Sequence, residues 1–203
     1  NKMLVEPCIY FKRKSKIYLK SSKINNKKKI NFTSTEILTE ENETKPNLFY
    51  CTNCEIIFSE FCKNKFEENY RDVIDPQYIN QIANKKLYFK NLINKLSKEI
   101  KDTDNVLEIG SYYGAFGSEI KNKVNSYVGI ELSKFASKYA KEEFGLNIYN
   151  QNIFSFLNNN KKKFDIIFMF DVIEHLDDPK EVVKICSKHL NKNGRLIIST
   201  MNM

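Results

Sequence analysis

Three groups of residues carry side chains whose types and spacing suit chemistry. The first is Asp171-Val-Ile-Glu174-His175. An imidazole titrates near neutral pH, so His175, paired with Glu174, can take a proton from a hydroxyl or an acidic C–H. Two other readings compete: the pair caps its loop, or Asp171, Glu174 and His175 share one helical face and ligate a metal. The second group is Glu108-Ile-Gly110-Ser-Tyr-Tyr-Gly114-Ala-Phe-Gly117. Glycine lets a backbone bend sharply and leaves room for a ligand beside it. A dinucleotide fingerprint would place glycine two residues after Gly110, where Tyr112 stands instead and would obstruct a pyrophosphate. The Glu108 carboxylate would repel phosphate but suits a cationic amino acid moiety. The third group is Cys51-x-x-Cys54, whose tight turn can aim two thiolates at one zinc ion, with Cys8 upstream as a third ligand. A fourth ligand is not evident, and Cys62 stands at awkward spacing.

These groups need elements to position them. Residues 103–203 alternate short apolar runs with helical segments. Strands are expected at 105–109, 127–132, 147–151, 164–170 and 195–200, with helices at 133–144 and 180–190. Such alternation gives an α/β fold, a doubly wound parallel sheet. The run 164–170 is strongly apolar, as in a strand buried on both faces. Ligands in such sheets bind beyond the carboxyl ends of the strands, which is where Gly110 falls. Upstream, the apolar spacing predicts an amphipathic helix over 76–100, with Pro76 in its first turn. Asp178-Pro179 reads as a helix start, with Asp178 as cap. His189, late in its helix, reads as structural. Gly117 reads as a glycine of helix–sheet packing, replaceable by Ala at about 1 kcal/mol or less. The chain is expected to divide into a segment 1–70, a linking helix in 71–102 and a domain 103–203.

Composition bounds the function. The 203 residues carry a formal net charge of +8. Lys supplies most of it, with Arg only at Arg13, Arg71 and Arg195. A positive charge suits a nucleic-acid partner, but Arg is the residue of bidentate phosphate and guanine recognition, and its scarcity argues against one. No apolar run approaches the ~18–20 residues that cross a bilayer. Five unevenly spaced cysteines do not form a secreted disulfide framework, and a cytoplasmic protein is expected.

The pattern Glu108-Ile-Gly110-Ser-Tyr-Tyr-Gly114 resembles motif I of class I S-adenosylmethionine (SAM)-dependent methyltransferases, with the middle glycine replaced. Val128-Gly-Ile-Glu131-Leu-Ser follows at suitable spacing. Phe164 to Pro179, with its Glu-His dipeptide, resembles the fourth-strand region of these enzymes. The segment from His189 through Gly194 resembles their last helix, glycine turn and fifth strand. The resemblance spans about residues 75–203. It implies a Rossmann-like sheet of order 3-2-1-4-5, with two further strands in complete members, so the chain is expected to be cut at its carboxyl end.

It also implies a cofactor, SAM, and a set of contacts. Glu131 would accept both ribose hydroxyls, two charge-assisted hydrogen bonds to a vicinal diol. Leu132 would lie against adenine, and Asn152 with Ile153 would flank it. Glu108, Gly110, Ser111, Tyr112, Tyr113 and Gly114 would surround the amino acid portion, with Phe170 and Asp171 beyond. Tyr112 and Tyr113 could wall the transfer site with aromatic faces or pack within the loop. The implied enzyme is a bacterial-type methyltransferase of a small-molecule or saccharide acceptor. The alternative is a non-catalytic or nucleotide-binding module retaining the fold. Tyr50-Cys-Thr-Asn-Cys-Glu-Ile-Ile-Phe resembles the zinc ribbon that precedes some sugar C-methyltransferases. It is either a metal site or a degenerate ribbon packed on apolar contacts. Elemental analysis after refolding with excess zinc separates the two: about one equivalent per chain for a site on Cys8, Cys51 and Cys54, a substoichiometric amount for the degenerate ribbon.

Overall fold

A computed structural model of the chain describes residues 70–176 and 178–200, together with three short strands at 16–19, 48–50 and 57–59. It divides into two compact units, Asn1–Asn64 and Lys65–Met203. In the first, β1 (Lys16–Leu19), β2 (Leu48–Tyr50) and β3 (Ile57–Ser59) form an antiparallel sheet of that order. The β2–β3 register pairs Leu48 with Ser59 and Tyr50 with Ile57. Cys8, Cys51, Cys54 and Cys62 lie outside the described residues.

The second unit begins with α1 (Pro76–Asn80) and α2 (Ile82–Lys95). Asp75 caps α1, accepting from the Tyr78 N–H, and Pro76 stands at the first helical position, where its missing N–H costs nothing. The single helix expected over 76–100 is broken at Gln81. This residue leaves helical geometry (φ −101°, ψ 7°) while its N–H still bonds the carbonyls of Gln77 and Tyr78.

The sheet follows in sequence. Its strands are β4 (Asn105–Ile109), β5 (Ser126–Ile130), β6 (Ile148–Tyr149), β7 (Phe164–Phe170) and β8 (Leu190–Ser199). All pair in parallel, in the order β6-β5-β4-β7-β8, which is 3-2-1-4-5 within this sheet. The helices between them are α3 (Ala115–Ile120), α4 (Lys134–Phe144), α5 (Ile153–Asn159) and α6 (Pro179–Lys188). Asp178 caps α6 by accepting from the Glu181 N–H, as the Asp-Pro pair predicts. The expected Asn193-Gly194 turn is absorbed into β8. Leu190 pairs with Phe164 and Arg195 with Ile166, so residues 191–194 bulge opposite Asp165. The Asn191 side-chain N–H fills the gap by donating to Asp165 at 2.7 Å.

Alternation along the strands builds two cores. Leu107, Ile109, Ile167 and Met169 face α5 and α6 with Val182 and Cys186. Val106, Ile166 and Phe168 face the other way, with Ile93, Phe116 and Ile120. The strand β7 is thereby covered on both sides, as its strongly apolar run predicts. Among the described residues no helix is long and apolar enough to cross a membrane.

Gly117 departs from expectation. A Cβ there would lie 2.5 Å from the Tyr127 hydroxyl and 2.9 Å from Leu146 Cδ1. Tyr127 is buried and hydrogen-bonded to Glu108, so it has no room to yield. Gly117→Ala is therefore expected to destabilise by about 1–3 kcal/mol, the range of overpacked cores, measured as a lower denaturant midpoint at unchanged m-value.

Candidate active site

The carboxyl ends of β4, β5 and β7 converge on one crevice. The chain leaves β4 at Gly110, which adopts φ +74°, a left-handed conformation that favours glycine. The N–H groups of Gly110 and Ser111 both donate to the Ile130 carbonyl, at 2.9 and 3.0 Å, tying the loop to the end of β5. A side chain at Gly110 would collide with Val172 of the segment after β7. The clearance expected there for a ligand is thus taken up by the protein. Gly114, at φ +79°, starts α3 and sits against Ala140 and Leu146.

Glu131 lies one residue beyond β5 and is 6% exposed. Its Oε2 accepts the Tyr112 N–H and its Oε1 the Ser133 N–H, both at 2.7 Å. Burial raises its pKa, and the N–H bonds from Ser133, Tyr112 and Leu132 pull it back. Glu108 is also buried, and the Tyr127 hydroxyl donates to its Oε2. Burial pushes its carboxyl up to about 8; the Tyr127 bond opposes the shift, and the Glu131 charge adds to it. Asp171 adopts φ +51° at the end of β7. Its pKa is raised by burial and then by Glu174, and lowered by Lys85 and His175.

The stretch from Tyr70 to Tyr78, read from the sequence only as a ribbon end and a helix start, packs against these loops. The Asp75 N–H donates to the Tyr113 hydroxyl at 2.6 Å, and the Tyr112 hydroxyl donates to Asp75 Oδ2 at 3.1 Å. The Ser133 hydroxyl donates to the Val73 carbonyl at 2.9 Å. Tyr78 stacks on Tyr113, with ring centroids 5.4 Å apart, and meets Tyr112 edge-on at 4.8 Å. Its phenol is raised first by burial, then by Glu108, Asp75, Asp171 and Glu131. Tyr70 is raised first by burial, then by Glu131 and Glu174. Five carboxylates therefore act on one group of tyrosines. With Glu108 protonated near neutral pH, the negative charge of the other four is what makes the site repel phosphate and favour a cation.

The expected residues fall unevenly about it. Tyr112, at φ +46°, is half-buried at the crevice. Tyr113 is 0% exposed, its ring packed against Tyr78, Tyr112, Phe135 and Tyr139. The Ser111 hydroxyl is buried with no hydrogen-bond partner among the described residues. Phe170 packs its ring on Phe89, Phe116 and Phe168, on the α2–α3 side of the sheet. Leu132 and Ile153 are half-buried. Asn152 caps α5, accepting from the Ser155 N–H at 2.7 Å. Glu174 and His175 are exposed on a 3-10 turn, Ile173–His175, where the His175 N–H donates to the Val172 carbonyl. Among the described residues no group of three His, Cys, Asp or Glu is arranged to hold a metal, which overturns the metal reading of Asp171, Glu174 and His175. Cys186, the cysteine in the described part, is a core residue whose thiol burial pushes up to about 12. His189 sets its two ring nitrogens 2.9 Å from the Ile185 carbonyl and 3.1 Å from that of Asn160, joining α6 to the end of α5.

Sequence reasoning missed Asp75, Tyr78 and Val172, and read the Tyr70 segment only as part of the ribbon resemblance. Asp75-Pro76 repeats the cap-and-proline signal of Asp178-Pro179, so Asp75 could have been placed as a cap. Nothing local marks its long-range bonds to the two tyrosines.

A parallel sheet of order 3-2-1-4-5, bent by glycine after its first strand and ending its second in a carboxylate, is the Rossmann-like fold of the class I SAM-dependent methyltransferases. Residues 81–203 match the family model described as methyltransferase domain, and the chain belongs to that family. It is 28% identical over 158 residues to a ubiquinone biosynthesis O-methyltransferase of Pasteurella multocida, covering 68% of this chain and 63% of that protein. It is 28% identical over 102 residues to a ubiquinone biosynthesis O-methyltransferase of Idiomarina loihiensis, covering 48% of this chain and 42% of that one. The chain thus spans less than half the length of the latter relative. A SAM-dependent methyltransferase from Archaeoglobus fulgidus superposes with a TM-score of 0.54 at 18% identity, covering 63% of this chain and 59% of that one. The N-methyltransferase NodS of Bradyrhizobium japonicum, solved with S-adenosyl-L-homocysteine (SAH), gives 0.51 at 20% identity, covering 65% and 69%. At such identities the structural likeness establishes the fold.

Glu108 offers a test of the crevice's electrostatics. The folded chain keeps its proton up to about pH 8, whereas the unfolded chain releases it near the ordinary 4.5. The unfolded state binds fewer protons across that window, so this group makes stability fall as pH rises through it. Glu108→Gln is expected to remove that decline, at most about 1.4 kcal/mol per pH unit, from the pH dependence of the denaturant midpoint. An unchanged slope in the variant would place the titration elsewhere.

Proposed function

We propose that this chain transfers a methyl group from SAM to a hydroxyl-bearing small molecule or saccharide. The observation that carries the reading is Glu131, a buried carboxylate at the end of β5 whose geometry is fixed by the Tyr112 and Ser133 N–H groups. Each of its oxygens keeps lone-pair capacity, so the carboxylate can accept two ribose hydroxyls. The unpartnered Ser111 hydroxyl and the surrounding carboxylates also fit a cofactor that bears cationic groups.

In this reading Leu132, Asn152 and Ile153 flank the adenine. The loop Gly110–Gly114, with Glu108 beneath it, faces the amino acid portion, and Asp171 closes the far side. Bound SAM supplies a methyl group already activated on a sulfonium, so the chain's task is chiefly to position donor and acceptor. His175, exposed with Glu174 just past β7, takes the proton from the acceptor hydroxyl. The relatives named for ubiquinone biosynthesis support a hydroxyl acceptor.

Calorimetry with SAM, SAH and NAD tests the class. SAM and SAH are expected to bind and NAD to fail, because the carboxylates repel a pyrophosphate. Glu131→Ala should weaken SAM binding by roughly 1.5–3 kcal/mol, the value of hydrogen bonds to a charged group, with Glu131→Gln between it and the parent. Parent-like SAM affinity in both variants would refute the ribose assignment.

A further inference from the structure

Tyr70 occupies a position that the contacts above leave without a role. Its phenol feels two carboxylates, Glu131 and Glu174. The first follows β5 and the second follows β7, and β4 lies between those strands in the sheet. The Tyr70 carbonyl accepts the Val73 N–H, and Val73 is bonded to Ser133, two residues past Glu131, so Tyr70 is anchored near the end of β5. Its ring centroid lies 5.8 Å from that of His175, tilted by 55°. The chain just after it is tied down, since the Val73 carbonyl accepts the Ser133 hydroxyl and the Asp75 N–H is held by Tyr113. Unlike the sealed ring of Tyr113, Tyr70 is half-buried and keeps an accessible surface.

A half-buried aromatic ring beside the Glu174–His175 turn, anchored next to the Glu131 segment, has the composition of a cation site, because a ring face and nearby carboxylates both attract positive charge. Resting on the methyltransferase reading, we propose that Tyr70 closes the crevice between Glu131 and the Glu174–His175 pair and recognises the sulfonium charge of the cofactor. Methyl transfer turns that sulfonium into the neutral thioether of SAH. The contact then distinguishes substrate from product and weakens once the methyl group has left.

The test compares SAM and SAH affinities of the whole chain by calorimetry. Tyr70→Phe keeps the ring and should leave the SAM-to-SAH affinity ratio within about twofold of the parent, whereas Tyr70→Ala should lower SAM affinity about five- to tenfold and SAH affinity less than about twofold. The sequence contains no tryptophan, so Tyr70→Trp introduces a single indole that can be excited selectively over the tyrosines. Its emission should shift on SAM binding with the dissociation constant that calorimetry gives. If both ligands bind the parent but the ratio is unmoved in Tyr70→Ala, or the tryptophan emission is unaltered at saturating SAM, Tyr70 is not the sulfonium contact. If neither ligand binds the parent, the methyltransferase reading falls and takes this one with it.

Discussion

The carboxylate of Glu131 joins three parts of the molecule. One oxygen accepts the N–H of Tyr112, in the loop after β4, and the other the N–H of Ser133, which caps α4. Its own N–H donates to the Tyr149 carbonyl of β6, and its carbonyl accepts from Asn150. Tyr112 tolerates an uncommon left-handed backbone because its N–H has this fixed partner and its hydroxyl has Asp75. Ser133 in turn holds Val73. The crevice is thus braced through one buried carboxylate.

That arrangement explains why the site is acidic without being fully charged. Taking a carboxylate out of water disfavours its ionised form, and a second carboxylate nearby disfavours it further. Glu108 meets both conditions and retains its proton near neutral pH. Glu131 meets the first, but three backbone N–H groups support its charge. Two carboxylates on adjacent strands therefore diverge in character. One is a neutral hydrogen-bond partner to Tyr127 beneath the loop, the other an acceptor at the crevice.

The features legible in the sequence were those set by local pattern. The runs 105–109 and 164–170 announce their strands by short, predominantly apolar stretches, and Asp178-Pro179 announces a helix start. Glu131 was legible because a carboxylate at a strand end has one place to go in a parallel sheet. Helix α5 was not, because its short apolar run Ile153-Phe154 and Phe156-Leu157 is punctuated by Ser155 and closed by three asparagines. The tyrosine cluster was not legible either. Its contacts join Asp75 to Tyr113 across 38 positions, and no spacing rule reaches that far. Gly117 looked like an ordinary packing glycine, since its neighbour Tyr127 is brought beside it only by the fold.

The strand order carries a consequence for the birth of the protein. The central strand β4 bonds on one side to β5, which follows soon after, and on the other to β7, where Asn105 meets Asp165 across 60 positions. Closing so long a loop costs entropy before any pairing rewards it. During synthesis the half bearing Glu131 can assemble while the half bearing Asp171, Glu174 and His175 has yet to be made. The crevice, shared between those halves, cannot be complete until β7 has been made and has paired with β4.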